Sequence, residues 1–303
     1  MNKITDIIRP EIPKTLYRFI SPSQEPEENV RKFWPDLENA IHRQRHYMAS
    51  LSQQNDPFEA RPSFIASKLK DVRGYLRRFE AVFGKDRSFT GTNIAAEFQL
   101  HGVAAKDYRG LVGHTLEAAK YVTREIHAGF PRVREATKIK CFSEEWANLL
   151  MWSHYGNGHR GICLCYSVDE TQMQASHIGP VQVDYATERP KISTVEMMEY
   201  IGHAKLKHEN EKFFNTNRTQ KTFEHLFLTK AIDWKYEKEW RISHIDDRGP
   251  GYRATPGMEV TEILVGKNAD QDLFTELNVR FGDVVKISRL KFDPDNYALC
   301  RET

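Results

Sequence analysis

Two glutamates stand two residues apart in Trp234-Lys-Tyr-Glu-Lys-Glu-Trp-Arg-Ile242, a run otherwise made of aromatic and basic residues plus one isoleucine. On a helix, Glu237 and Glu239 would point in different directions, and Glu237 with Arg241 would be an ordinary i,i+4 ion pair. On a strand, alternate residues share a face. Trp234, Tyr236, Trp240 and Ile242 then fall on one side, with Lys238 the exception, and Lys235, Glu237, Glu239 and Arg241 fall on the other. The strand reading segregates the chemistry better and sets two carboxylates side by side. Such a pair is either a solvated charge ladder or an acid/base pair, and periodicity alone favours the exposed charged face. The aromatic density and the lack of Gly or Pro mark a well-anchored strand, the kind of element on which a site is built.

Three upstream positions bear on that choice. Arg18 shares strand parity with Leu16 and Ile20. A guanidinium on an apolar face needs an anionic partner, because an unpaired buried charge is very costly. The partner is either a structural carboxylate or a bound phosphate or carboxylate. Ser143 precedes Glu144 and Glu145, the pattern of a helix N-cap with acids favouring the dipole. A strand end opening onto a helix is also a common place for a ligand. Met151-Trp-Ser-His-Tyr-Gly156 is rich in aromatic and polar side chains. His154 and His159 lie five apart with no cysteine nearby, so a metal site is weakly supported and a hydrogen-bonded core or loop histidine is the simpler reading. No GxSxG, Walker A, HExxH or GxGxxG pattern occurs, which argues against several large enzyme classes.

The chain has 303 residues with 28% charged and a formal charge of +2. That near balance gives no broad field for nucleic acid or an anionic membrane. The opening residues lack a signal-peptide core, and no apolar run approaches the roughly 20 residues that span a bilayer. Cys141, Cys163, Cys165 and Cys300 form no CxxC pair, and Cys163 with Cys165 would share one strand face as small core residues. A reduced, cytoplasmic protein is expected.

The elements that would position these residues read as α+β. Strands are expected at Leu16–Ile20, Thr137–Phe142, Gly161–Val168, around Val181, Val183 and Tyr185, over the opening motif, at Glu259–Val265 and at Val284–Phe292. Helical sequence is expected from about Glu27 to Ser50, interrupted at Pro35, and over Glu144–Tyr155 with Trp146, Leu149 and Leu150 inward. A mainly helical insertion is read at about 64–138, with Leu69, Val72, Leu76, Phe79 and Phe83 at helical spacing, a second helix at Gly113–His127, and Arg77 with Arg78 on a solvated face. A further helical segment covers about 194–229. Asn55-Asp-Pro-Phe-Glu59 is a turn signal. No linker or repeat separates two halves, so a single domain spanning 1–303 is expected.

The stretches LYRF (16–19), NDPFE (55–59), CFSEEWANLLMWSHYGNGHRGICLCY (141–166), WKYEKEWRI (234–242) and ILVG (263–266) occur in that order. With them the chain resembles, over nearly its whole length, a widespread bacterial family of unknown function. The order of an Arg on a first strand, a Ser at a middle strand end and Glu-x-Glu on a late strand also resembles the Arg-Ser-Glu class of ADP-ribosyltransferases. That resemblance implies mixed split-barrel sheets that hold NAD, as substrate, in a cleft. Arg18 would contact an NAD phosphate or ribose, and Ser143 would orient the nicotinamide ribose. Glu239 would bind the ribose 2′-hydroxyl and support an oxocarbenium-like transition state, while Glu237 would position or deprotonate the acceptor. Trp152 or Tyr155 would stack on nicotinamide, with His154 in the same NAD-contacting group. The middle motif is Phe-Ser-Glu where that class has Ser-Thr-Ser, which leaves the N-cap reading of Ser143 open. The expected function is NAD-dependent ADP-ribosyl transfer to an unknown macromolecular or small-molecule acceptor, as in a toxin-like or antiviral defence effector. NAD hydrolysis and a non-catalytic nucleotide-binding or regulatory module are the alternatives. No metal and no membrane are expected.

Overall fold

The run from Ile162 to Val168 is apolar at most positions, and such a strand has to be covered on both faces. In the computed structural model it lies between two antiparallel neighbours, Thr15–Ile20 and Met258–Val265. The structure describes residues 11–83, 128, 130–175, 180–206, 210–213, 216–245 and 249–302. The helix read at Gly113–His127 lies outside them, as does the middle of the insertion read at 64–138. The fold is mixed α+β. Contacts divide it into two units, one formed by Met1–Ala49, Lys138–Val183 and Asp233–Thr303, the other by Ser50–Thr137 and Asp184–Ile232.

The first unit carries a ten-stranded sheet. Numbered along the chain, its strands are β1 (Thr15–Ile20), β2 (Arg45–Ser50), β4 (Thr137–Ser143), β5 (Ile162–Val168), β6 (Val181–Gln182), β10 (Glu239–Ile245), β11 (Gly251–Ala254), β12 (Met258–Val265), β13 (Lys286–Phe292) and β14 (Leu299–Arg301). Their order is β11-β2-β4-β1-β5-β12-β13-β14, and β10 pairs with β4 and with β6. The sheet therefore branches at β4. The two sides of β5 sort the core. Ile162, Leu164 and Tyr166 pack with Leu16, Leu37, Phe142, Trp240 and Ile242. Cys163 and Cys165 pack on the other side with Phe19, Trp152 and Leu264. Those two cysteines are the core residues that their parity predicts, and none of the four cysteines is in a disulfide.

Several local readings change. Pro35 sits in the first turn of Trp34–Arg43, directly after the π-helical turn Asn29–Phe33, so the helical stretch changes type just before the proline. That helix ends at Gln44 in the left-handed region, and residues 45–50 are strand β2 rather than more helix. On β4 Lys138 and Lys140 are buried, on the strand face they share by parity with the core residue Phe142. The helical segment read at 194–229 is two helices, Thr194–Leu206 and Thr216–Phe227. The first is opened by a capping box in which Ser193 and Glu196 exchange side-chain-to-backbone hydrogen bonds.

The second unit holds these helices, the helix Leu69–Phe83 and two small parallel pairs, β3 (Ser63–Ile65) with β8 (Lys191–Ser193) and β7 (Asp184–Ala186) with β9 (Thr229–Ala231). On Leu69–Phe83 the inward stripe includes Val72, Tyr75 and Phe79, and Arg77 and Arg78 are exposed as read.

A register shift between Val260 and Glu262 turns Glu262 to the Cys163 side of the sheet. Burial alone would raise its pKa, but hydrogen bonds from Arg301, Ser288 and Lys286 overcome that and push it down to about 2. Arg301 engages both carboxylate oxygens, at 3.0 and 2.7 Å. A folded pKa below the unfolded one adds stability above the unfolded value that is lost as pH falls toward the folded value. Glu262→Gln is expected to lower stability at neutral pH and to flatten its decline between the ordinary carboxylate range and about pH 2. Urea melts across that range check it.

Candidate active site

The backbone carbonyl of Lys238 accepts a hydrogen bond from Glu144 N–H at 3.1 Å, tying the residue after β4 to the residue before β10. Ser143 and the two glutamates are thereby brought to one place. The strand reading holds only from Glu239 onward. Ile232–Glu237 is a 3-10 helix, and Lys238 has φ 44°, a left-handed conformation that no strand continues through. The reason is tertiary. Asn148 Nδ2 donates to the Tyr236 carbonyl at 2.8 Å, and His154 Nδ1 meets the Tyr236 hydroxyl at 2.9 Å. Glu237 and Glu239 thus leave the backbone from different elements rather than from one strand face. Neither is exposed, at 4% and 3%, which overturns the solvated charge ladder.

The Tyr155 hydroxyl donates to Glu237 Oε1 at 2.5 Å. Glu239 is held by a two-point guanidinium fork, with Arg241 Nε on Oε1 at 2.6 Å and Nη2 on Oε2 at 3.0 Å. Glu239 and Arg241 share the face that strand alternation gives them, opposite Trp240 and Ile242 in the core.

Ser143 is buried at the end of β4, opposite Tyr17 on β1. Its Oγ accepts from Glu145 N–H at 3.1 Å and donates to the Glu145 carbonyl at 3.3 Å. It is not an N-cap. The helix begins at Leu149, and Asn148 caps it by accepting from Leu150 and Met151 N–H at 2.9 and 3.2 Å. Glu144 and Glu145 are engaged elsewhere: the Glu144 carboxylate accepts from Trp240 Nε1 at 2.5 Å, and Glu145 pairs with Lys238 at 2.9 Å. Asn148 both caps this helix and holds the 3-10 turn. Asn148→Ala is expected to cost about 1–2 kcal/mol in urea unfolding.

Trp152 is fully buried, edge-on to Phe19 at 5.2 Å, with Nε1 donating to the Trp146 carbonyl at 2.6 Å. A Cβ on Gly156 would meet its ring at 2.8 Å, so that position requires glycine. Leu150, read as inward, is 50% exposed. His154 is exposed and Tyr155 is half-buried.

Arg18 points the other way. Cross-strand partners share a face, so Ser143 lies with Tyr17, and Arg18 projects from the opposite side of β1. There its Nη2 pairs with Asp36 Oδ2 at 2.9 Å, while Nη1 is buried without a hydrogen-bond partner. A chain of donors fixes the rest. Thr255 Oγ1 donates to the Gln44 carbonyl at 3.1 Å, so it accepts from His46 Nδ1, and His46 Nε2 accepts from the Tyr166 hydroxyl at 3.0 Å. His46 is neutral in this arrangement. Burial, then Lys140 and Arg18, hold its pKa well down. Burial and Arg18 likewise depress Lys140, which donates to the Tyr47 carbonyl at 3.0 Å.

The structure therefore groups Ser143, Glu237, Glu239, Tyr155 and His154, sets Trp152 in the core beneath them, and separates Arg18. Sequence reading missed Tyr17, Asn148, Tyr236 and the role of Arg241. The i,i+2 spacing of Glu239 and Arg241 was the one legible signal. Among the described residues no group of three His, Cys, Asp or Glu side chains is placed to hold a metal ion, and no helix is long and apolar enough to cross a membrane. No curated protein and no solved structure matches the chain. Residues 151–242, from the start of MWSHYG to the end of WKYEKEWRI, match the model of a protein family of unknown function, DUF2971.

Proposed function

We propose that the Ser143–Glu237–Glu239 cluster is an NAD-using ADP-ribosyltransferase site within a split-barrel sheet. The observation that supports this reading is the pair of buried carboxylates near the end of β4, Glu237 accepting from the Tyr155 phenol and Glu239 from the Arg241 guanidinium fork. In the reaction the bond between nicotinamide nitrogen and ribose C1′ breaks, and nicotinamide leaves with the electron pair as a neutral molecule. Positive charge develops on the ribose ring. Glu239, its orientation fixed by Arg241, binds the 2′-hydroxyl and stabilises that charge in a water-poor setting. Glu237 takes the proton from the acceptor as its nucleophile bonds to C1′. Ser143 orients the ribose, and Tyr155 sets Glu237 and offers a ring face to nicotinamide.

Both carboxylates are covered as they stand, so NAD enters by displacing what lies over them. The Lys238–Glu145 ion pair has half-exposed side chains, and such a pair is weak enough to open. Arg18 then has a structural role and Trp152 a packing role. The test is nicotinamide release from NAD by the purified chain, with and without cell lysate. Release that labels a macromolecule in the lysate supports transfer. Release without labelling, with free ADP-ribose as the product, assigns hydrolysis, with water as the acceptor. NAD binding without release makes the site a binding module.

A further inference from the structure

NDPFE has no part in the site above. Its turn is tight: Phe58 N–H donates to Asp56 Oδ1 at 2.8 Å, Glu59 N–H to the Asp56 carbonyl at 3.1 Å, and Ala60 has φ 47°. The turn leaves the Phe58 ring 58% exposed and leads directly into Arg61 and Pro62. Within the second unit these residues face the β7–β9 pair across a cavity of about 270 Å³, near the lower end of the roughly 300–1,000 Å³ of small-molecule sites.

Arg61 and Arg189 line it together with Glu188, whose carboxylate is 3.4 Å from the Lys191 ammonium. Arg189 donates from Nε to the Arg61 carbonyl at 2.6 Å and from Nη2 to the Pro62 carbonyl at 3.1 Å. Those bonds pin the guanidinium at the cavity wall without neutralising it, and Nη1 is left over. Among the described residues neither Arg61 nor Arg189 has a carboxylate at ion-pairing distance. Two guanidinium groups without a carboxylate partner at one cavity suit a phosphate, which accepts charge-assisted hydrogen bonds from them. The exposed ring of Phe58, in the same lining as Pro62, Pro190, Ala186 and Ala231, suits a flat apolar group.

We propose that this cavity binds a small phosphorylated molecule with a planar ring, of the nucleoside monophosphate class, its phosphate on Arg61 and Arg189 and its ring against Phe58. The proposal is independent of the reading of Glu237 and Glu239. Calorimetric titration of the full chain with adenosine 5′-monophosphate, adenosine and inorganic phosphate tests it. The monophosphate is expected to bind at least about tenfold more tightly than either fragment, and more weakly as salt is raised. Arg61 and Phe58 are exposed, so Arg61→Gln and Phe58→Ala leave the fold intact, and each is expected to weaken binding about tenfold. Absence of binding, or either variant binding as the unaltered chain does, overturns the proposal. Binding lost in Glu239→Gln but kept in Arg61→Gln belongs to the other unit and overturns it equally.

Discussion

Glu239→Gln protein is expected to release nicotinamide from NAD about a hundredfold to a thousandfold more slowly than the unaltered chain. That is the loss typical when one preorganised group is removed from the place where transition-state charge develops. Gln keeps the shape of Glu239 and an oxygen for the ribose 2′-hydroxyl, so the loss reports the missing negative charge. The substitution also takes the counter-charge from Arg241, which is 1% exposed, and an orphaned buried charge destabilises. The assay is therefore run well below the variant's own melting temperature, with near-ultraviolet circular dichroism to confirm native packing. Glu237→Gln separates the two roles. It is expected to slow transfer to the acceptor more than it slows cleavage of the nicotinamide bond, because only transfer needs the acceptor proton removed. Normal nicotinamide release by a folded Glu239→Gln variant would end the proposed mechanism.

Asp36→Asn is expected to cost about 3 kcal/mol of unfolding free energy, the lower end of the range for removing one partner of a buried ion pair. Arg18 and Asp36 are 19% and 13% exposed, so solvent screens the pair only slightly. Burial by itself would raise the Asp36 pKa, but Arg18 and Lys140 outweigh it and hold it below the ordinary value. By the same linkage rule, the stability that this carboxylate adds is present above its unfolded pKa and is lost as pH falls through the lower folded value. The double variant Arg18→Met, Asp36→Leu removes both charges and is expected to recover most of the loss, since apolar replacement of a buried pair is often neutral or favourable. It should also retain nicotinamide release. A double variant that folds as stably as the unaltered chain but no longer binds NAD would move Arg18 from structure to ligand contact.

The sequence by itself determined the apolar strand Ile162–Val168, the strands that flank it, the core parity of Cys163 and Cys165 and the NDPFE turn. Each comes from local rules: continuous or alternating hydrophobicity, and residues that bond their own backbone. It also singled out Ser143, Glu237 and Glu239, and strand parity put Glu239 beside Arg241. Only the tertiary structure decided how they are held. No local rule tells that Asn148 reaches the Tyr236 carbonyl and that the chain then breaks at Lys238, because the partners lie 88 residues apart. Nor does periodicity tell which side of a strand is covered. Lys138, Lys140, Glu237 and Glu239 look solvated by type and are buried because neighbouring elements cover them. Arg18 shows the same limit most sharply. Its parity with Leu16 and Ile20 was legible, but that this face looks away from Ser143 rests on the single pairing of Tyr17 with Ser143, a fact of sheet register that one strand's sequence does not contain.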